Sequence, residues 1–150
     1  MSRENPIRLF GVATLDFERF LKVLYPPQIG MDGVSTSEEW ASVLNIADRF
    51  AFTSVRELAI RKLLAVASPV EKVVLGHRFA ERRLLIPGYM ALVSRYSALS
   101  LDEAVCLGMA DVVLISQARE AIRDGDYTYS GDVPVESLFA GRLPPPSAPE

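Results

Sequence analysis

Apolar positions recur along most of this chain at the three- and four-residue spacing of buried helix faces, and a helix-starting cap precedes several of these stretches. Thr14 or Asp16 heads a stretch with Phe17, Phe20, Leu21 and Leu24 on one side. Pro26-Pro27 stops it, because proline lacks an N–H and disfavours helix in the residue before it. Gln28 to Ser35, with Gly30 and Gly33, reads as loop. Thr36-x-x-Glu39 is a capping box ahead of Trp40, Val43, Leu44 and Ala47. Ser54-x-x-Glu57 opens the next predicted helix, with Val55, Leu58, Ala59, Leu63 and Val66 for burial. Ser68-Pro69-Val70-Glu71 combines a capping Ser, a Pro at the first helical position and a Glu at the third, and its helix presents Val70, Val73, Val74 and His77 and runs towards Phe79. A further helix is predicted after Pro87, through Tyr89, Met90, Leu92 and Val93. Ser100-x-x-Glu103 opens a short one that ends at Gly108, a left-handed C-cap, and a last helix is predicted from Ala110 to Arg123 with Val112, Val113, Ile115, Ala118 and Ile122 apolar.

Two segments break the helical pattern. Ile7 to Val12 alternates apolar and polar residues between Pro6 and Gly11 and predicts one short strand. From Asp124 the composition shifts, with five of the ten prolines at 134, 144, 145, 146 and 149. This predicts a tail, within which Tyr127, Tyr129, Val133, Val135, Leu138 and Phe139 can dock on the helices and 142 to 150 are disordered.

Composition narrows the function classes. The 150 residues carry 16 Lys+Arg against 19 Asp+Glu, a formal charge of −3, which gives no global field for polyanions. Charge is nonetheless segregated: between 49 and 83 there are eight Lys/Arg and three Glu, net +5. One Cys and one His exclude an internal disulfide and a Cys/His zinc site. No run approaches the ~18 apolar residues of a membrane span, and the first residues lack a secretory pattern. An intracellular chain, in cytoplasm or nucleus, with no cofactor and no metal, is the expectation.

Chemistry-bearing motifs are absent: no phosphate-binding Gly-rich loop, no G-x-S-x-G elbow and no Cys-x-x-Cys. His77 and Cys106 form a nucleophile–base pair only if folding brings them together, and both stand on helix-like stretches. Glu38-Glu39 and Asp102-Glu103 are explained by helix capping. Trp40, Phe20, Phe50, Phe52 and Phe79 are expected in the core.

The run Asp16-Phe17-Glu18-x-Phe20-Leu21-x-Val23-Leu24-Tyr25-Pro26, then Glu39-Trp40-x-x-Val43-Leu44-x-Ile46-Ala47-Asp48-x-Phe50-x-Phe52, then Val55-Arg56-x-x-Ala59-Ile60-x-x-Leu63, resembles the second half of BTB/POZ domains, above all those of fungal BTB proteins. Ser68 through Arg95, Leu101-x-Glu103-Ala104 and the Gly108 region are similar to the BACK-like helical extension that follows that fold. The likeness covers 6 to 123 and lacks the first half of the domain, including the helix used for homodimerisation.

The resemblance implies a mostly α protein of about seven helices in successive hairpins, divided into a truncated BTB-like part (6–66), a BACK-like extension (67–123) and a flexible tail (124–150). It implies a non-enzymatic protein-interaction scaffold, in the form of a substrate adaptor or decoy for a cullin-type ubiquitin ligase, with a cullin scaffold or another BTB protein as partner. An apolar patch at Leu9, Phe10, Phe17, Leu21 and Tyr25 is the expected contact and a cause of self-association. The alternative is a helical nucleic-acid-binding or transcription-regulatory module using the basic 49–83 segment, with Arg78, Arg82 and Arg83 as its contacts.

Overall fold

Capping and apolar spacing place helices almost everywhere the structure can be described. The computed structural model describes residues 9–26, 33–124 and 135–146. They form α1 (Thr14–Leu24), α2 (Ser37–Arg49), α3 (Thr53–Val66), α4 (Pro69–Arg78), α5 (Arg82–Ser94), α6 (Leu101–Leu107), α7 (Met109–Arg123) and α8 (Val135–Leu138). The fold is mostly α. Internal packing divides the chain into two units, Met1–Lys62 and Leu63–Glu150, the boundary falling within α3.

In the first unit α1 packs along α2. The capping box forms as its sequence requires: Glu39 N–H donates to Thr36 Oγ1 at 3.2 Å, while Ser35 and Thr36 N–H donate to Glu39 Oε2 at 2.8 and 3.1 Å. Those backbone donors hold the Glu39 carboxyl below its ordinary range. Behind the cap, α2 buries Trp40, Val43, Leu44, Ile46 and Ala47, with the Lys62 ammonium 5.7 Å from the centre of the Trp40 ring. Polar ties join the helices where the packing meets water. Arg19 donates to Ser42 Oγ at 2.8 Å and to Glu38 Oε1 at 2.9 Å, and Asn45 Nδ2 donates to Asp16 Oδ2 at 3.2 Å.

The expected strand at Ile7 to Val12 is corrected. Ile7 and Arg8 lie outside the described residues, and the chain turns at Phe10-Gly11, with Gly11 at φ +70°. The carbonyls of Phe10 and Gly11 accept from the Arg49 guanidinium at 2.8 and 3.1 Å, so a side chain supplies the donors that a neighbouring strand would have supplied. The expected start of α3 also shifts. The helix begins at Thr53, which puts Ser54 inside its first turn.

In the second unit Ser68, Pro69 and Glu71 cap α4 as their order implies, Ser68 N–H donating to Glu71 Oε2 at 2.7 Å. α5 begins at Arg82, well ahead of the start expected after Pro87, and carries Pro87 in its interior. Glu81 makes this possible: its carboxylate accepts from Arg83 N–H at 3.2 Å, and its carbonyl accepts from Leu84 and Leu85 N–H at 3.1 and 3.3 Å. An interior proline costs about 3 kcal/mol, but the same helix buries Leu84, Leu85, Tyr89, Leu92 and Val93, each worth roughly 1.5–3 kcal/mol.

Close approach of α4 and α5 depends on glycine. A Cβ at Gly88 would lie 2.8 Å from Val73 Cγ2 and 3.1 Å from the Pro69 carbonyl oxygen. α5 also packs on α7 and α8, and α6 packs on α4 and α7. Gly108 ends α6 and starts α7 at φ +85° and ψ 157°, a positive φ as expected but with extended rather than left-handed helical ψ.

Residues 135–146 belong to this core. Val135 and Phe139 are buried among Val73, Leu85, Tyr89, Leu92, Leu107, Ile115 and Ala118. The expected docking of Val135, Leu138 and Phe139 is thus seen, whereas Tyr127, Tyr129 and Val133 lie outside the described residues. The expected disorder is corrected for 142–146 by the contacts of Arg142, described next, and 147–150 lie outside the described residues.

Candidate functional site

Two constructions stand out, one in each unit. In the first, α1 turns Phe17, Leu21 and Leu24 to the side where Phe50 and Phe52 arrive from the turn between α2 and α3. Together with Leu9, Phe20 and Tyr25 they line an apolar groove of about 490 Å³. Phe20 forms its floor, its ring 5.2 Å from that of Phe52 and 6.4 Å from that of Phe17. Phe50 and Phe52, expected in the core, are instead 41% and 45% exposed. The turn explains this: Phe50 caps the end of α2, and Ala51 follows at φ +56°, which swings both rings off the buried stripe of α2. Trp40, Phe20 and Phe79 are buried as expected.

Of the sequence-derived contact residues, the structure brings Leu9, Phe17, Leu21 and Tyr25 to this groove. Tyr25 is 76% exposed at its rim. Phe10 is 82% exposed and does not line it, because the turn held by Arg49 directs it elsewhere. Leu24, Phe50 and Phe52 were missed. Their signal was the place of Leu24 three residues after Leu21 and seven after Phe17, and the pairing of two aromatics around a helix break.

In the second unit the Asp111 carboxylate, 1% exposed, is the centre of a polar cluster. Arg142 grips it with Nε to Oδ1 at 2.9 Å and Nη2 to Oδ2 at 3.1 Å, and the Tyr89 hydroxyl donates to Oδ1 at 2.7 Å. His77 Nε2 lies 2.8 Å from the Tyr89 oxygen and 3.2 Å from Oδ2. Burial pushes the Asp111 carboxyl up, but the bonds from Arg142 and Tyr89 outweigh it and hold the group below its usual range. Burial and the bond to Asp111 push the Tyr89 hydroxyl well above the usual phenol range, so it stays protonated and donates. His77 and Arg142 also line an open cavity of about 240 Å³ with Gly76, Ala80, Leu85 and Leu143.

This cluster was not foreseen, apart from His77 as a helix-face residue. Its sequence signal was Asp111 itself, four and seven residues before Ile115 and Ala118 on the apolar stripe of α7. The imidazole's partners are Tyr89 and Asp111, while the Cys106 thiol is exposed on α6.

The three arginines proposed as nucleic-acid contacts are put to internal uses. Arg78 lies 5.3 Å from the centre of the Phe79 ring. Arg82 donates to the Pro144 carbonyl at 3.3 Å and pairs with Glu136 at 3.4 Å, and Arg83 Nε donates to Glu81 Oε1 at 2.8 Å. Among the described residues no group of three or more His, Cys, Asp or Glu could hold a metal ion, and no helix is long and apolar enough to cross a membrane.

No family model matches the chain, and no curated protein or solved structure matches it. The BTB/POZ resemblance rests on the sequence motifs alone.

Proposed function

We propose that this chain is a protein-binding module without catalytic chemistry, and that its docking surface is the apolar groove along α1. The observation that supports this reading is the row of large side chains, Phe17, Leu21, Leu24, Tyr25, Phe50 and Phe52, which among the described residues line an open groove of about 490 Å³ instead of closing into a core. Phe17, Leu21 and Tyr25 repeat every four residues along one face of α1, so a complementary partner runs along the helix. The occupant that fits is an amphipathic helix of another protein, presenting two or three large apolar side chains at helical spacing. In the form implied by the BTB/POZ resemblance, that partner belongs to a cullin-type ubiquitin ligase.

A photo-reactive phenylalanine analogue in place of Tyr25 tests the reading in cell lysate. The expected result is an adduct to an apolar helical segment of one protein, lost in Leu21→Glu and kept in Val113→Glu, a change on the exposed side of α7. Adducts indifferent to Leu21→Glu, or adducts only to a second copy of the chain, overturn it.

A further inference from the structure

The Asp111 cluster joins three elements to a fourth: α4 through His77, α5 through Tyr89, α7 through Asp111, and the 135–146 segment through Arg142. Because the Tyr89 hydroxyl donates to Asp111, its oxygen can only accept from His77. The neutral imidazole therefore carries its proton on Nε2, and Nδ1 is the nitrogen that takes up a second one. A protonated His77 would place a second cation against a carboxylate already gripped by Arg142. A buried carboxylate needs a cationic partner, and here two candidates compete for one anion.

We propose that His77 is a proton-controlled latch for the 135–146 segment: when its imidazole is protonated, Asp111 gains a cation of its own and Arg142 and Phe139 leave the face of α5 and α7. The groups that bear on the imidazole are Tyr89 from α5, Asp111 from α7 and Arg142 from the segment. α6, also packed on α4, carries Asp102 and Glu103, the latter engaged by Arg95 at 2.8 Å and by Ser100 N–H at 2.8 Å. On α4 itself, Arg78 sits over the Phe79 ring and Lys72 precedes His77 by more than one turn.

Burial lowers the affinity of His77 for a proton, Asp111 raises it and Arg142 lowers it, and the net value lies below the ordinary one. Release of the segment removes Arg142 and part of the burial but leaves Asp111, so the open form binds the proton more tightly. The docked form is consequently favoured at neutral pH and loses ground as pH falls through about 6.5 towards the lower value of docked His77. The remaining anchors of the segment are the burial of Val135, Leu138 and Phe139, the last stacked on Tyr89 with ring centres 4.0 Å apart, and the contacts of Arg82.

His77 is the chain's single histidine, so one imidazole resonance reports the proton and the amides of 135–146 report the segment. In NMR spectra of the full chain between pH 8 and 5, the expected result is one shared midpoint below about 6.5 for both sets of signals. Arg142→Ala is expected to move the imidazole midpoint above that value, and His77→Gln to keep the segment docked at pH 5. Segment amides that do not move while His77 titrates overturn the proposal. So does release at the same pH in His77→Gln, or an imidazole midpoint unmoved by Arg142→Ala. The wild-type comparison requires no variant to fold.

Discussion

Asp111 binds Arg142, Tyr89 and His77 at once, and its removal is a sharp residue-scale test of how the second unit is held. Asp111→Ala leaves the Tyr89 hydroxyl buried without its acceptor and frees Arg142 towards water. A loss of about 1–3 kcal/mol is expected, measured by urea unfolding. Arg142→Ala leaves the buried carboxylate without its cation, and a loss of about 3–5 kcal/mol is expected at pH 8, where His77 is neutral and offers no replacement charge. Glu103 supplies an internal contrast in pH. Bonds from Arg95 and Ser100 hold its carboxyl down at about 2, so its contribution is present above the ordinary carboxylate range and fades only as pH falls below about 4.5. The acid loss of Glu103 therefore falls below the ordinary imidazole range. Asp111 was legible as a polar residue on an apolar stripe, but Arg142 was not, because it reaches Asp111 from 31 positions away.

Helix by helix, local chemistry decided what could be read. Thr36, Ser68 and Ser100 each form the capping box that their spacing implies, since all the atoms involved lie within one turn. Ser68→Ala is expected to cost about 1 kcal/mol in thermal or urea unfolding. Pro87 misled, because the stabilisation that carries α5 through a proline comes from the burial of Leu84, Leu85, Tyr89 and Leu92, which spacing around one residue does not display. The strand at Ile7 to Val12 misled for the opposite reason: alternation alone did not reveal that Arg49 takes the carbonyls of Phe10 and Gly11.

Glycine in α5 marks the tightest packing between elements. Gly88→Ala adds helix propensity worth about 1 kcal/mol but drives a methyl into Val73 and the Pro69 carbonyl. Overpacking of this kind costs about 1–3 kcal/mol, and a net loss of stability with α4 and α5 displaced is expected by calorimetry and NMR.

At the scale of the whole molecule, each unit has its own function in this account. The second unit closes its core with the 135–146 segment, and the described residues of the first leave a groove open along α1. The helical periodicity that located α1 could not distinguish an apolar side covered by the chain's own core from one left for a partner. Phe50 and Phe52 show the difficulty, since the same spacing that places Ile46 and Ala47 in the core is broken one turn later at Ala51. Burying Leu21 against a partner is worth about 1.5–3 kcal/mol, which corresponds to roughly ten- to a hundredfold in affinity. The competing basic surface makes the opposite demand: contacts through Arg78, Arg82 and Arg83 would weaken steeply with salt.

The most direct test is a titration of the protein captured at Tyr25 against wild type, Leu21→Glu and the Arg82→Ala/Arg83→Ala double variant, at two salt concentrations. A groove that docks an apolar helix gives at least about a tenfold loss for Leu21→Glu, near wild-type affinity for the double arginine variant and little change with salt. Affinity that survives Leu21→Glu but falls steeply with salt or with loss of the arginines would contradict the account.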